Sequence, residues 1–264
     1  MDQTLVDAFQ HCARAYPDRP AVLGTAQSLT YGELDKASEG AASALARRFP
    51  SAGVRIAIAL ENSADALIAV WGCLKAGHVG VPVDSAWPAA RIEHALRLVN
   101  AGALIIGEET PIDPPPIPLL GVGSLRGATD APRRHAGDPR DTAMIYFTSG
   151  SSGAPKAVRL SHACLLNGAR NYQQALAVTP EDRIAWTAPF AHGAATGTYL
   201  TTLTAGASLL PLPVRNDAIP ACIAELNAYR TSMLLLSTAL FRLLARHMNP
   251  SGSLPSVRLV KLGG

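Results

Sequence analysis

Apolar positions near the start of the chain fall at helical spacing. Leu5, Phe9, Cys12 and Tyr16 share one face, and Pro17 ends the helix they predict. Thr30-Tyr31-Gly32-Glu33 has the S/T-x-x-E spacing of a capping box, in which each side chain covers the other's free backbone amide. It predicts a following helix that buries Leu34, Ala41 and Leu45. Val54 to Leu60 is apolar at nearly every position, the pattern of a strand buried on both faces. Ser63 can cap a next helix carrying Leu67, Val70 and Leu74 and closing at Gly77. His78 to Val83 reads as a strand, and Pro88 as the first turn of a helix with Ile92, Leu96 and Val99 inward. Ala103 to Ile106 reads as a short buried strand.

The alternation predicts an α/β fold of mostly parallel sheets flanked by helices. It pauses between Gly107 and Asp141, where Pro111, Pro114, Pro115, Pro116, Pro118, Pro132 and Pro139 exclude a long regular element. That stretch reads as an extended crossing. Strands are then predicted at Met144–Phe147, Ala157–Leu160, Ile184–Ala188, Ser208–Leu212, Ser232–Leu236 and Val257–Lys261. Helices are predicted at Ala163–Leu176, Ala218–Tyr229 and Ala239–His247. The expected organisation is a first α/β subdomain segment over residues 1–140, with the proline-rich crossing at 107–141, and a second over 141–264.

Composition narrows the classes. With 48% hydrophobic and 16% charged residues, the chain can bury a sizeable core and is not a disordered segment. Its 23 Lys and Arg against 20 Asp and Glu leave a net +3, too small a surplus to point to a nucleic-acid surface. The longest apolar run, Ala66 to Leu74, is far short of the roughly 20 residues of a membrane span. No secretory signal pattern opens the chain, and Cys12, Cys73, Cys164 and Cys222 form no C-x-x-C. Those features predict reduced thiols and a cytoplasmic location. Lysine is scarce, at Lys36, Lys75, Lys156 and Lys261, so its placement carries information.

The chemistry concentrates in Thr148-Ser149-Gly150-Ser151-Ser152-Gly153-Ala154-Pro155-Lys156, which follows an apolar strand. Glycines let backbone amides approach an anion, hydroxyls add donors without bulk, and a lysine supplies charge for phosphate oxygens. That is the description of a triphosphate cradle. It is not a Walker loop, because Pro155 precedes the lysine and no Ser or Thr follows it. The competing reading is a flexible Ser/Gly linker, although linkers seldom join two buried strands.

The segment from Thr148 to Lys156 resembles the phosphate loop of the adenylate-forming (AMP-binding) enzymes: acyl-CoA synthetases, adenylation domains of nonribosomal peptide synthetases, and luciferases. Leu29-Thr30-Tyr31-Gly32-Glu33-Leu34 resembles that family's first core motif. Leu74-Lys75-Ala76-Gly77, Val81-Pro82-Val83-Asp84 and Pro88-Ala89-Ala90-Arg91-Ile92 resemble its second. Ser161-His162 matches the polar residue and histidine after the loop, and Val257 to Gly264 the stretch before a family glutamate. Ala157 departs from the usual glycine after the loop lysine.

The resemblance implies ATP-dependent activation of a carboxylic acid to an acyl-adenylate, which is then passed to coenzyme A or a phosphopantetheinyl carrier protein. It implies ATP and Mg²⁺ as cofactors. Thr148, Ser149, Gly150, Ser151, Ser152, Gly153 and Lys156 would hold the β- and γ-phosphates, and Thr148 would help hold Mg²⁺. The family's adenine and ribose motifs, glutamate, hinge and catalytic lysine would match positions beyond Gly264. The chain therefore resembles the N-terminal part of such an enzyme, with no catalytic residue of the family within it, and is expected to be inactive alone.

Pro189-Phe190-Ala191-His192-Gly193 matches the family's acyl pocket. Amino-acid-activating members carry an aspartate where Ala191 stands, and aryl-acid members commonly an asparagine where Gly193 stands. His192 and Gly193 would line the substrate site, which suits an aliphatic or bulky carboxylate without an α-amino group. A capped or core histidine at a helix start is the plainer account of His192. His162 reads as a helix-cap neighbour, Asp84 as a strand terminator, Trp71, Trp87 and Trp186 as packing, and Arg133-Arg134 as solvated surface. Two alternatives stand beside the ligase: an adenylation domain of a multidomain peptide or polyketide synthetase, and a truncated non-catalytic module that binds a nucleotide or a partner. No G-x-S-x-G elbow supports a hydrolase.

Overall fold

The computed structural model describes residues 3–24, 27–107, 117–125, 137–149, 155–212, 219–248 and 254–263. Helix α1 (Leu5–Ala15) opens with Thr4, whose side chain and that of Asp7 cap each other's amides. Strands β1 (Pro20–Val22) and β2 (Leu29–Thr30) lead into α2 (Tyr31–Arg48), entered through the expected Thr30–Glu33 box. Then come β3 (Arg55–Ala59), α3 (Ala64–Lys75) capped by Ser63, β4 (Val79–Pro82), α4 (Ala89–Leu98) and β5 (Ala103–Ile106). Gly77 ends α3 at φ +75°, a conformation that favours glycine. Within the proline-rich crossing lie a short β6 (Leu119–Gly121) and a 3₁₀ turn (Val122–Leu125).

The chain continues through β7 (Thr142–Ser149), β8 (Pro155–Ser161), α5 (His162–Ala175), β9 (Arg183–Trp186) and α6 (Gly193–Leu203). It closes with β10 (Ser208–Pro211), α7 (Ile219–Ala228), β11 (Met233–Ser237), α8 (Thr238–His247) and β12 (Leu259–Gly263).

Two six-stranded sheets result, in the orders β6-β5-β3-β4-β7-β8 and β12-β11-β9-β10-β1-β2. All neighbours pair in parallel except the β7–β8 and β1–β2 hairpins. Sheet membership does not follow the expected division at residue 141. β7 and β8 complete the sheet built from residues before the crossing, and β1 and β2 join the sheet built from the later strands. Local periodicity carries no record of which distant edge a strand will meet.

Strand alternation sorts the apolar residues into layers. Ile56 and Ile58 of β3 face a central layer shared with α1, α2, α3, α5 and α6, which Trp186 and Leu209 of the second sheet enter from the other side. Ala57 and Ala59 face outward beneath Ile92 and Leu96 of α4. Ala185, Leu210 and Leu234 lie under α7 and α8 on the far face of the second sheet. The order is helix, sheet, helices, sheet, helices. The approach of α2 to α3 is close enough that a Cβ on Gly72 would sit 2.5 Å from the Ala41 Cβ. The three tryptophans all make ring contacts: Trp71 stacks on Phe9 at 4.3 Å, Trp186 meets Phe190 and Tyr199, and Trp87 edges onto Phe147.

Candidate active site

In the chain the glycine-serine segment joins β7 to β8, which pair antiparallel. Ser149 pairs with Pro155 and Thr148 with Lys156, so the two strands run in register to the base of the loop. Gly150, Ser151, Ser152 and Gly153 lie outside the described residues, as do Arg133 and Arg134. Directly opposed residues of an antiparallel pair project from the same face. The Thr148 hydroxyl and the Lys156 ammonium therefore share one face, and both residues are exposed. Because β7 runs parallel to β4, the Thr148 end of β7 stands at the carboxyl edge of the first sheet. That edge is where ligands bind in open α/β sheets.

Alternation along β7 puts Met144, Tyr146 and Thr148 on the face turned to the central layer. Tyr146 makes a close hydroxyl–hydroxyl hydrogen bond with Thr196 of α6. It also lies 3.1 Å from the Met144 sulfur, which the Tyr199 hydroxyl approaches at 3.5 Å. Burial raises the Tyr146 phenol well above its ordinary range and pushes Tyr199 up to about 12, so both stay neutral hydrogen-bonding groups. The strand that ends in the glycine-serine loop is thus tied to the first turns of α6.

The N-terminus of α6 carries the second cluster. His192 is the N-cap, and its Nδ1 accepts the Ala194 amide at 3.3 Å. The plainer account of this histidine, as a helix cap, is therefore correct as far as Nδ1 is concerned. An accepting Nδ1 leaves Nε2 as the protonated nitrogen of the neutral ring, free to donate. His192 and Gly193 are exposed. A Cβ on Gly193 or Gly197 would meet nothing within 4 Å, and the i, i+4 spacing places both on one side of the helix. Open space accordingly runs along this side of α6.

Other singled-out residues take structural places. His162 starts α5 behind the Ser161 cap and is buried. The Asp84 carboxylate accepts the Ala86 amide at 2.9 Å, ending β4. Arg91 lies over the Trp87 ring at 4.1 Å. Cys12, Cys73 and Cys222 are buried and Cys164 is exposed. Among the described residues, no His, Cys, Asp or Glu group could hold a metal ion by itself. No helix among them is long and apolar enough to cross a membrane. Sequence reasoning missed the Tyr146–Thr196 link, because helix α6 is rich in glycine and threonine and reads poorly as a helix.

The description "AMP-binding enzyme" covers residues 9–264 of this sequence as a family match. The chain belongs to the AMP-binding enzyme family. Among its relatives, phosphinothricin tripeptide synthetase PhsC of Streptomyces viridochromogenes is 32% identical over 99% of this chain and 24% of its own length. Syringomycin synthase SyrB1 of Pseudomonas syringae is 35% identical over 67% of this chain and 30% of its own. The chain thus spans about a quarter to a third of these two relatives. Among solved structures, the N-terminal subdomain of Klebsiella oxytoca NpsA superposes with a TM-score of 0.90 at 25% identity, covering 100% of this chain and 69% of that one. The two-sheet architecture is therefore that of the N-terminal subdomain of adenylate-forming enzymes.

Proposed function

We propose that the protein activates a carboxylic acid with ATP and passes the acyl group to the thiol of a phosphopantetheinyl carrier protein. A carboxylate oxygen attacks the α-phosphorus, the bond to the bridging oxygen breaks, and pyrophosphate leaves with the displaced electron pair. The observation that carries this reading is that β7, which ends at the Thr148–Lys156 pair, is tied to the first turn of α6 by the Tyr146–Thr196 hydrogen bond. One cluster suits phosphates and the other an acid, as an in-line displacement requires.

Each residue has a role in this reading. Thr148, Ser149, Gly150, Ser151, Ser152, Gly153 and Lys156 hold the β- and γ-phosphates. The Nε2–H of His192 orients the acid's carboxylate, and the opening beside Gly193 and Gly197 takes its side chain. Ala191 offers no carboxylate for an α-ammonium group, so an acid without one is preferred. Mg²⁺ bound to the triphosphate would be held here by the Thr148 hydroxyl and would supply charge neutralisation at the phosphates. That fits a site whose metal ligands come largely from substrate oxygens and water.

Relatives named as peptide synthetases support a carrier protein over coenzyme A as acceptor. The test is carboxylate-dependent ATP–pyrophosphate exchange by the product of the complete reading frame, across aliphatic, aryl and α-amino acids. Exchange with a non-amino acid is expected. Exchange with α-amino acids alone, or with none, overturns the reading. Radiolabelled acyl transfer to a carrier domain, compared with coenzyme A, then decides the acceptor.

A further inference from the structure

Asn62 belongs to the loop between β3 and α3, in the first sheet, yet its side chain works in the second. It is buried, and its amide nitrogen donates to the Trp186 carbonyl at 3.1 Å and the Ala188 carbonyl at 3.0 Å. The Leu212 carbonyl lies 3.5 Å from the same nitrogen. With three carbonyl oxygens around it, the amide must turn its NH₂ end toward them, since its oxygen would be repelled. An NH₂ group has two hydrogens, which the two short contacts consume.

These carbonyls stand where β9 and β10 run out. Trp186 still accepts the Leu212 amide at 2.9 Å, but beyond it the strands no longer pair. A buried carbonyl without a strand partner needs another donor. The chain from Ala188 reaches His192 within four residues and turns through a His192 amide to Pro189 carbonyl bond of 2.8 Å. Phe190 packs against both Trp186 and Tyr199, and Thr187 donates to the Leu235 carbonyl at 3.2 Å. The segment therefore hangs on two polar tethers, Asn62 from the first sheet and Thr187 from within the second.

We propose that Asn62 is a positioning residue for acid binding. By holding the Trp186 and Ala188 carbonyls from the opposite sheet, it sets where His192 and Gly193 stand relative to the loop base. This rests on the functional reading above and deepens it. Among the described residues, the hydrogen bonds of Asn62 go to Trp186, Ala188 and Leu212 and none to the β7–β8 hairpin, so its removal should separate the two substrates.

The test measures exchange kinetics of Asn62→Ala in the complete protein, alongside crystal structures of variant and wild type. Loss of two hydrogen bonds should raise the acid KM about tenfold, while the KM for ATP stays within about twofold. In the crystal, residues 187–192 should shift while the β3–α3 loop stays in place. Thr187→Val removes the second tether and should move the acid KM in the same direction, which keeps the test available if the alanine variant folds poorly. Equal rises in both KM values, a fall in melting temperature alone, or an unmoved 187–192 segment overturn the proposal. A wild type that shows no acid-dependent exchange defeats the functional reading instead, and the crystal comparison still judges the role of Asn62.

Discussion

The Lys75 ammonium lies 2.6 Å from Asp35 Oδ1 inside the contact between α3 and α2. It also donates to the Asp35 carbonyl and the Ser38 hydroxyl, each at 2.8 Å, so all three of its hydrogens have acceptors. One of the four lysines is thus spent on joining two helices, and the ammonium faces the Phe9 ring at 5.5 Å. Lys75→Ala leaves Asp35 without its partner and should cost about 3 kcal/mol, the scale for breaking a buried pair. Urea denaturation measures the loss. Lys75→Met keeps the packing of the stem and should lose less.

The buried Asp182 carboxylate predicts an acid-sensitive fold. Burial pushes its pKa up, but hydrogen bonds from Arg258, the Thr179 amide and Ser232 outweigh that, and the net shift is downward. A folded-state value below the unfolded one, about 3.9, stabilises the protein at neutral pH. That stabilisation fades as pH falls below about 3.9 and the carboxylate takes up a proton. Asp182→Asn should be less stable than wild type at pH 7, with the gap closing toward pH 3. Thermal melts across that range check the sign, and a constant gap would refute the assignment.

Lys156 and Thr148 should act on ATP rather than on the acid. Both are exposed at the base of the loop, so substitution should leave melting temperature almost unchanged. If Lys156 holds phosphate as proposed, Lys156→Ala should raise the KM for ATP at least about tenfold. The acid KM should hold steady. Initial rates of pyrophosphate exchange, varied in one substrate at a time, separate the two constants.

Gly197 offers the opposite trade. Its Cβ would meet nothing within 4 Å, so Gly197→Ala should stabilise α6 by about 1 kcal/mol through helix propensity. The added methyl narrows the lane beside Gly193. Bulky acids should lose activity relative to small ones, while calorimetry reports a higher melting temperature.

Much of this molecule is legible from local pattern. Unbroken apolar runs mark β3, β5, β9 and β11, because parallel strands covered on both faces leave no polar side. The Thr30–Glu33 box and Ser63 mark helix starts through hydrogen bonds that span three residues. Strands β1, β2 and β6 escape detection because two or three residues set no periodicity. Helix α6 escapes because burial of Tyr199, Leu200 and Leu203 outweighs four threonines and two glycines. At the site, the loop motif and its lysine are visible in the chain. The role of Asn62 is not, since the carbonyls it binds lie 124 and 126 residues away.

Strand β1 enters its sheet beside β10, and the Pro20 carbonyl accepts from a serine hydroxyl 188 residues later in the chain. On a ribosome adding about 5–20 residues per second, the first strands would wait roughly 10–40 s for that partner to be made. During that interval β1 and β2 are a two-stranded ribbon without the rest of their sheet, and the early helices have only the first sheet to lean on. The second sheet is therefore assembled late, from strands far apart in the sequence. Slower synthesis would lengthen the period in which a nascent chain could pair β1 and β2 with a neighbour's strands.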